Sequence, residues 1–159
     1  MTVAVYRGID ELEAAKGVEL GPTDWFAMDQ RRIDAFADTT EDHQWIHVDP
    51  VRGEAGPFGA TVAHGFLTLS LVPYFIAQLR QVEGARMGVN YGLNKVRFPS
   101  PVRAGSRVRA RTTMTEFERL SDTLVQLVTQ TTIEVEGSDK PGCVADLVSR
   151  YYFDGPAAG

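Results

Sequence analysis

Cys143 is the only cysteine, so the chain can close no internal disulfide and build no cysteine-only metal site, a usage that fits a reducing cytoplasm. An excess of basic charge is missing as well. With 16 Lys and Arg against 21 Asp and Glu the net charge is −5, which argues against a nucleic-acid partner, because phosphate neutralisation needs concentrated positive charge. No long apolar run is present either. The most apolar stretch, Gly65 to Ala77, is broken by Thr68, Ser70 and Pro73 and falls short of the roughly 20 residues that span a bilayer, so it reads as a core helix. The opening MTVAVYRGIDELEAAKG reaches acidic residues early and lacks the basic start and apolar core of a secretion leader. A cytoplasmic protein with no membrane and no nucleic-acid partner is expected, folded as a single domain over residues 1–159, a length that suits one core.

All three histidines, His43, His47 and His64, fall between Thr39 and Leu71, beside Asp42 and Asp49. Histidine changes charge near neutral pH and a nearby carboxylate can share or steer its proton, so Asp42, His47 and Asp49 form a candidate proton-handling set. Three histidines that merely pack or face solvent are the competing reading. From Thr39 to Phe58 neither helical nor strand periodicity persists, and Pro50, Gly53, Gly56, Pro57 and Gly59 punctuate a long irregular segment. Such loops in compact domains are uncommon unless they carry function.

The flanking patterns are regular. Gly8 to Lys16 reads as a short amphipathic helix and Thr23 to Met28 as a strand, after which Asp29 caps a helix from Gln30 to about Asp38 with Ile33, Phe36 and Ala37 inward. Thr61 or His64 caps the next helix, which is apolar almost all round and must therefore be wrapped, with Pro73 bending or breaking it. Four runs rich in β-branched and aromatic residues follow: Gly88 to Phe98, Arg107 to Phe117, Leu124 to Val135 and Cys143 to Phe153. Hairpin-type connections between them predict a largely antiparallel sheet. The row Arg107, Arg109 and Arg111 lies on one face of its strand, as a phosphate site or, more simply, as a solvated surface. The C-terminal GPAAG reads as a frayed end. A central apolar helix wrapped by an antiparallel sheet is an α+β architecture.

Thr40-Glu41-Asp42-His43-Gln44-Trp45-Ile46-His47-Val48-Asp49-Pro50, with Phe58-Gly59 and Ala63-His64-Gly65-Phe66, resembles the MaoC-like (R)-specific enoyl-CoA hydratases. The nearest branch is the nodulation-protein-N-like group, through the same segments and through Tyr91-Gly92-Leu93-Asn94-Lys95-Val96-Arg97-Phe98-Pro99. The resemblance implies a hot-dog fold, in which a curved antiparallel sheet wraps a long central helix. It also implies reversible syn addition of water to a trans-2-enoyl-CoA, giving an (R)-3-hydroxyacyl-CoA in fatty acid metabolism.

On the residues that match, the resemblance maps the catalytic pair onto Asp42 and His47 and an oxyanion-binding backbone N–H onto Gly65, with no cofactor and no metal. His64 is expected to shape the loop, Asp49 with Pro50 to form a turn and cap, and His43 to face solvent. Lys95, Arg97 and Arg103 are candidates to meet the CoA phosphates, and a homodimer or dimer of dimers is implied.

Two departures from the wider pattern stand out. Glu41 replaces a glycine beside Asp42, and Pro73 stands where some hydratases place a serine near the substrate. A hot-dog thioesterase and a non-catalytic acyl-thioester binder remain as alternatives. A zinc site on His43 and His47 is disfavoured, because the metalloprotease glutamate is absent and the segment is irregular.

Overall fold

The computed structural model describes residues 2–155, so most of the expected C-terminal frayed end lies outside the described residues. In chain order the elements are β1 (Ala4–Arg7), α1 (Gly8–Ala14), β2 (Glu19–Leu20), β3 (Phe26–Met28), α2 (Gln30–Thr40), α3 (Trp45–Val48), α4 (Pro50–Glu54), α5 (Gly65–Ser70), α6 (Val72–Leu79), β4 (Arg80–Glu83), β5 (Ala85–Arg97), β6 (Ser106–Ser121), β7 (Leu124–Val135) and β8 (Cys143–Phe153). Strands are ordered β2-β6-β7-β8-β5, with β3 also on β6, and every pairing in this six-stranded sheet is antiparallel.

The sheet packs on α2 and on the α5–α6 segment. Met28, Ile33, Val72, Phe75, Val108, Ile133 and Cys143 form the main core, and Leu12, Met114, Val125, Leu127 and Phe153 form a second cluster that includes α1. Burial pushes the Cys143 thiol up to about 11, which makes it an inert packing group at neutral pH. This is the hot-dog α+β arrangement, with one qualification about its helix. The central segment is two short helices meeting at Leu71, because Pro73 supplies no backbone N–H and sits in the first turn of α6.

Several expectations are corrected. Residues 39–58 are not wholly irregular: Asp49 accepts from Arg52 N at 3.0 Å and Pro50 opens α4, so local capping beats the weak periodicity. The β5–β6 connection is no hairpin, since β5 pairs with β8 and the chain crosses to the far side of β7 before starting β6. Only Phe26–Met28 of the expected Thr23 to Met28 strand pairs, and the parallel pair β1–β4 has no periodic signature. Thr61 does not cap α5; its hydroxyl donates to Gln30 Oε1. The arginine row faces outward and is matched by carboxylates, with Arg107 on Glu136, Arg109 on Glu134, and Arg111 on Glu134 and Glu19. No helix among the described residues is long and apolar enough to cross a membrane.

Candidate active site

Helix α2 starts where Asp29 Oδ1 accepts from Arg32 N at 2.8 Å, and it ends at Glu41, whose φ of 60° is left-handed. That left-handed residue takes the chain out of the helix, and Asp42 follows it, exposed. Five residues after Asp42, His47 N donates to Gln44 O at 2.9 Å and the short helix α3 carries His47 inward, to 7% exposure. Gln30 steadies this helix from below, donating from Nε2 to the His47 carbonyl and to Asp34 Oδ1, each at 2.7 Å.

The segment Thr61 to Ala63 forms the opposite wall. Val62 N donates to Ile46 O at 2.9 Å, while Ala63 N donates to Val102 O at 2.7 Å. The Val62 carbonyl lies 2.6 Å from His47 Nδ1. A carbonyl only accepts, so Nδ1 carries the proton and Nε2 is the nitrogen left for chemistry. Burial pushes the His47 imidazole below its usual 6.5; the Val62 carbonyl works against that shift, His64 adds to it and Asp42 opposes it. At neutral pH Nε2 therefore presents a lone pair.

His64, 2% exposed, stacks on His47 with 3.7 Å between ring centroids and 23° between planes. Its Nε2–H donates to the Asp42 backbone carbonyl at 2.9 Å, and its Nδ1 is buried without a partner. The donor atoms offered by Asp42, His47 and His64 all lie within 4.8 Å of one another, a spacing a metal ion also tolerates. The stacked rings, however, hold their in-plane lone pairs in nearly parallel planes rather than aiming them at one point, which suits proton handling better than ligation.

Gly65 is the first residue of α5, and a Cβ there would stand 2.9 Å from the Phe98 ring. His64, at the cap position, makes no side-chain cap bond, so the first-turn N–H groups of α5 are uncapped by it. Three expected site residues, Asp42, His47 and Gly65, thus sit around the start of α5, two of them linked through His64. The others do not join them. His43 points to Asp38 at 2.9 Å, which raises its pKa, and Asp49 serves as the α4 cap. Lys95 and Arg97 are exposed on β5, and Arg103 is exposed beyond it, bridged through its backbone to Val62. Sequence reasoning missed the direct contacts of His64 with both catalytic candidates, for which the Ala63-His64-Gly65 motif was the available signal. It missed Gln30 altogether, and no pattern marks that residue.

A hot-dog sheet around a helix whose first turn meets an Asp–His cluster defines the dehydratase class of this fold. The chain belongs to the MaoC-like dehydratase family: the model described as the MaoC like domain matches residues 11–136. It is 51% identical over 146 residues to the 3-hydroxyacyl-thioester dehydratase Z of Mycobacterium tuberculosis, covering 92% of this chain and 97% of that protein. It is 43% identical over 140 residues to nodulation protein N of Rhizobium leguminosarum bv. viciae, covering 87% of each. The solved structure of the (R)-hydratase from A. caviae involved in PHA biosynthesis superposes with a TM-score of 0.67 at 22% identity, over 84% of this chain and 94% of that one, a likeness of fold.

Proposed function

We propose that this hydro-lyase catalyses the reversible, (R)-specific addition of water to trans-2-enoyl-CoA, giving (R)-3-hydroxyacyl-CoA, with Asp42 and His47 as the catalytic pair. The observation that carries the reading is the fixed tautomer of His47, whose Nδ1–H is tied to Val62 O and whose Nε2 is left with a lone pair, on a ring that shares a small polar cluster with the Asp42 carboxylate. The sequence likeness to a 3-hydroxyacyl-thioester dehydratase supports the same chemistry.

Water held between the two groups loses a proton to one of them as its oxygen bonds to C3. The pair, which now holds that proton, delivers it to C2 from the same side, so the hydroxyl and the hydrogen both arrive on one face and the addition is syn. Charge that grows on the thioester oxygen is met by the Gly65 N–H at the start of α5. No cofactor takes part. Lys95, Arg97 and Arg103 are exposed cations able to meet the CoA phosphates. The free edge of β5 carries exposed Val89, Tyr91 and Leu93, which supports pairing with a second copy through that strand into a homodimer or a dimer of dimers.

The test is loss of enoyl-thioester absorbance on adding the protein to crotonyl-CoA and longer trans-2-enoyl-CoAs. Asp42→Asn and His47→Gln are each expected to lower kcat by about 100-fold or more. Release of free thiol without hydration would sink the reading in favour of a thioesterase. Tight binding with no turnover at any chain length would sink it in favour of a binder.

A further inference from the structure

Arg80, at the junction of α6 and β4, is 7% exposed and meets no carboxylate among the described residues. Its Nε is buried without a partner. Among the described residues its one side-chain hydrogen bond is long, from Nη2 to the Tyr151 hydroxyl at 3.4 Å, and the Tyr151 ring centroid lies 5.8 Å from the guanidinium carbon. A guanidinium carries five N–H donors and keeps its charge at every ordinary pH, so burying one with a single weak acceptor leaves most of its bonding capacity unused. The arginines of β6 behave differently: Arg107, Arg109, Arg111 and Arg119 all reach carboxylates.

Arg80 lines a cavity of 310 Å³ together with Asn90, Ser149 and Tyr151. Gly88 lines it too, and a Cβ at that position would stand 3.0 Å from the Tyr151 ring, so the missing side chain leaves room for the ring beside Arg80. Pro73, Asn90 and Leu147 are shared with an adjoining groove of 390 Å³ whose other walls include Leu69, Val72 and Leu93. A ligand lying along α5 and α6 therefore passes apolar walls first and a buried cation last. From Gly65 to Arg80 the helical segment runs about 20 Å, at about 1.5 Å per residue.

We propose that Arg80 is the anion subsite for a carboxylate at the distal end of the acyl chain, so that this enzyme takes long-chain enoyl-thioesters ending in a carboxylate in addition to, or in preference to, those ending in methyl. The acyl-thioester part of this assignment rests on the hydro-lyase reading above. The carboxylate accepts from the guanidinium fork in a charge-assisted pair, and the Tyr151 hydroxyl and Ser149 offer further donors. A short chain leaves the subsite out of reach.

Calorimetric binding of saturated acyl-CoAs of graded length to the full chain tests the assignment without asking for turnover. At long chain lengths the ω-carboxyl series is expected to bind about tenfold or more tighter than the methyl-ended series, with no advantage at short lengths. Arg80→Gln is expected to remove the advantage of the carboxylate-ended over the methyl-ended series, and Arg80→Lys to retain part of it. Equal binding of the two long series by the unaltered protein overturns the proposal even if the variants fail to fold, and so does a preference that survives Arg80→Gln. These ligands have no double bond to hydrate, so such a failure leaves the hydratase reading standing. Failure of hydration on enoyl-CoAs, with the carboxylate preference intact, overturns the hydratase reading alone.

Discussion

His64 holds both members of the Asp42–His47 pair, stacking its ring on His47 at 3.7 Å and donating from Nε2 to the Asp42 carbonyl at 2.9 Å. It is the link between the start of α5 and the turn that presents Asp42. A site that must place two proton-transfer groups on one side of a substrate depends on such a link, because small displacements of the pair act on the transition state.

His64→Phe separates the two contacts. The flat ring can still stack on His47, whereas the hydrogen bond to Asp42 is gone. A fall in kcat of about tenfold with KM nearly unchanged is expected, the value of one hydrogen bond lost from alignment. Steady-state kinetics beside a thermal melt checks this, and a fall in Tm large enough to leave the protein partly unfolded at the assay temperature would assign the effect to packing instead.

His47 sets the acid side of the pH response. Its folded pKa lies below 6.5, mainly through burial, so the neutral form persists to lower pH and the acid limb of kcat/KM is expected below 6.5. Stability follows the same group: between the depressed folded pKa and 6.5 the unfolded chain binds more protons, so stability declines as pH falls through that window. His43 works in the opposite sense, because the bond to Asp38 raises its pKa; its contribution is present below 6.5 and is lost as pH rises through the folded value. Denaturant midpoints at about pH 5 and about pH 8 in a His43→Gln background, with and without His47→Gln, isolate the His47 contribution.

Much of this was legible in the chain. The strands Leu124 to Val135 and Cys143 to Phe153 match their observed bounds because runs rich in β-branched and aromatic residues end at polar and glycine-containing turns. The Asp29 and Asp49 caps were legible because a short acceptor side chain precedes each helix. What stayed hidden is non-local. The crossover that puts β5 beside β8 has the same Pro- and Gly-rich connection as a hairpin, so composition does not separate the two. Gln30, which ties α2 to α3 and to Thr61, is an ordinary polar residue until those elements meet. Glu41 is the instructive case: at φ 60° it occupies a backbone position that glycine takes without strain, which accounts physically for a glycine in the wider pattern. Arg80 carried no signal at all, since nothing in its neighbours announces that it is buried.

Gly65 separates the needs of folding from those of the reaction. A Cβ there would lie 2.9 Å from the Phe98 ring, but Phe98 is 43% exposed and can swing outward, so Gly65→Ala is expected to lower stability by only about 1 kcal/mol. The same methyl stands beside the N–H proposed to meet the thioester oxygen, where an ångström of displacement would remove an oxyanion contact. A loss of about 100-fold in kcat/KM is expected with Tm nearly unchanged. The double variant Gly65→Ala with Phe98→Ala decides the cause. If ring displacement were responsible, removing the ring would restore turnover; because the methyl obstructs the substrate itself, the double variant is expected to remain as impaired as Gly65→Ala alone.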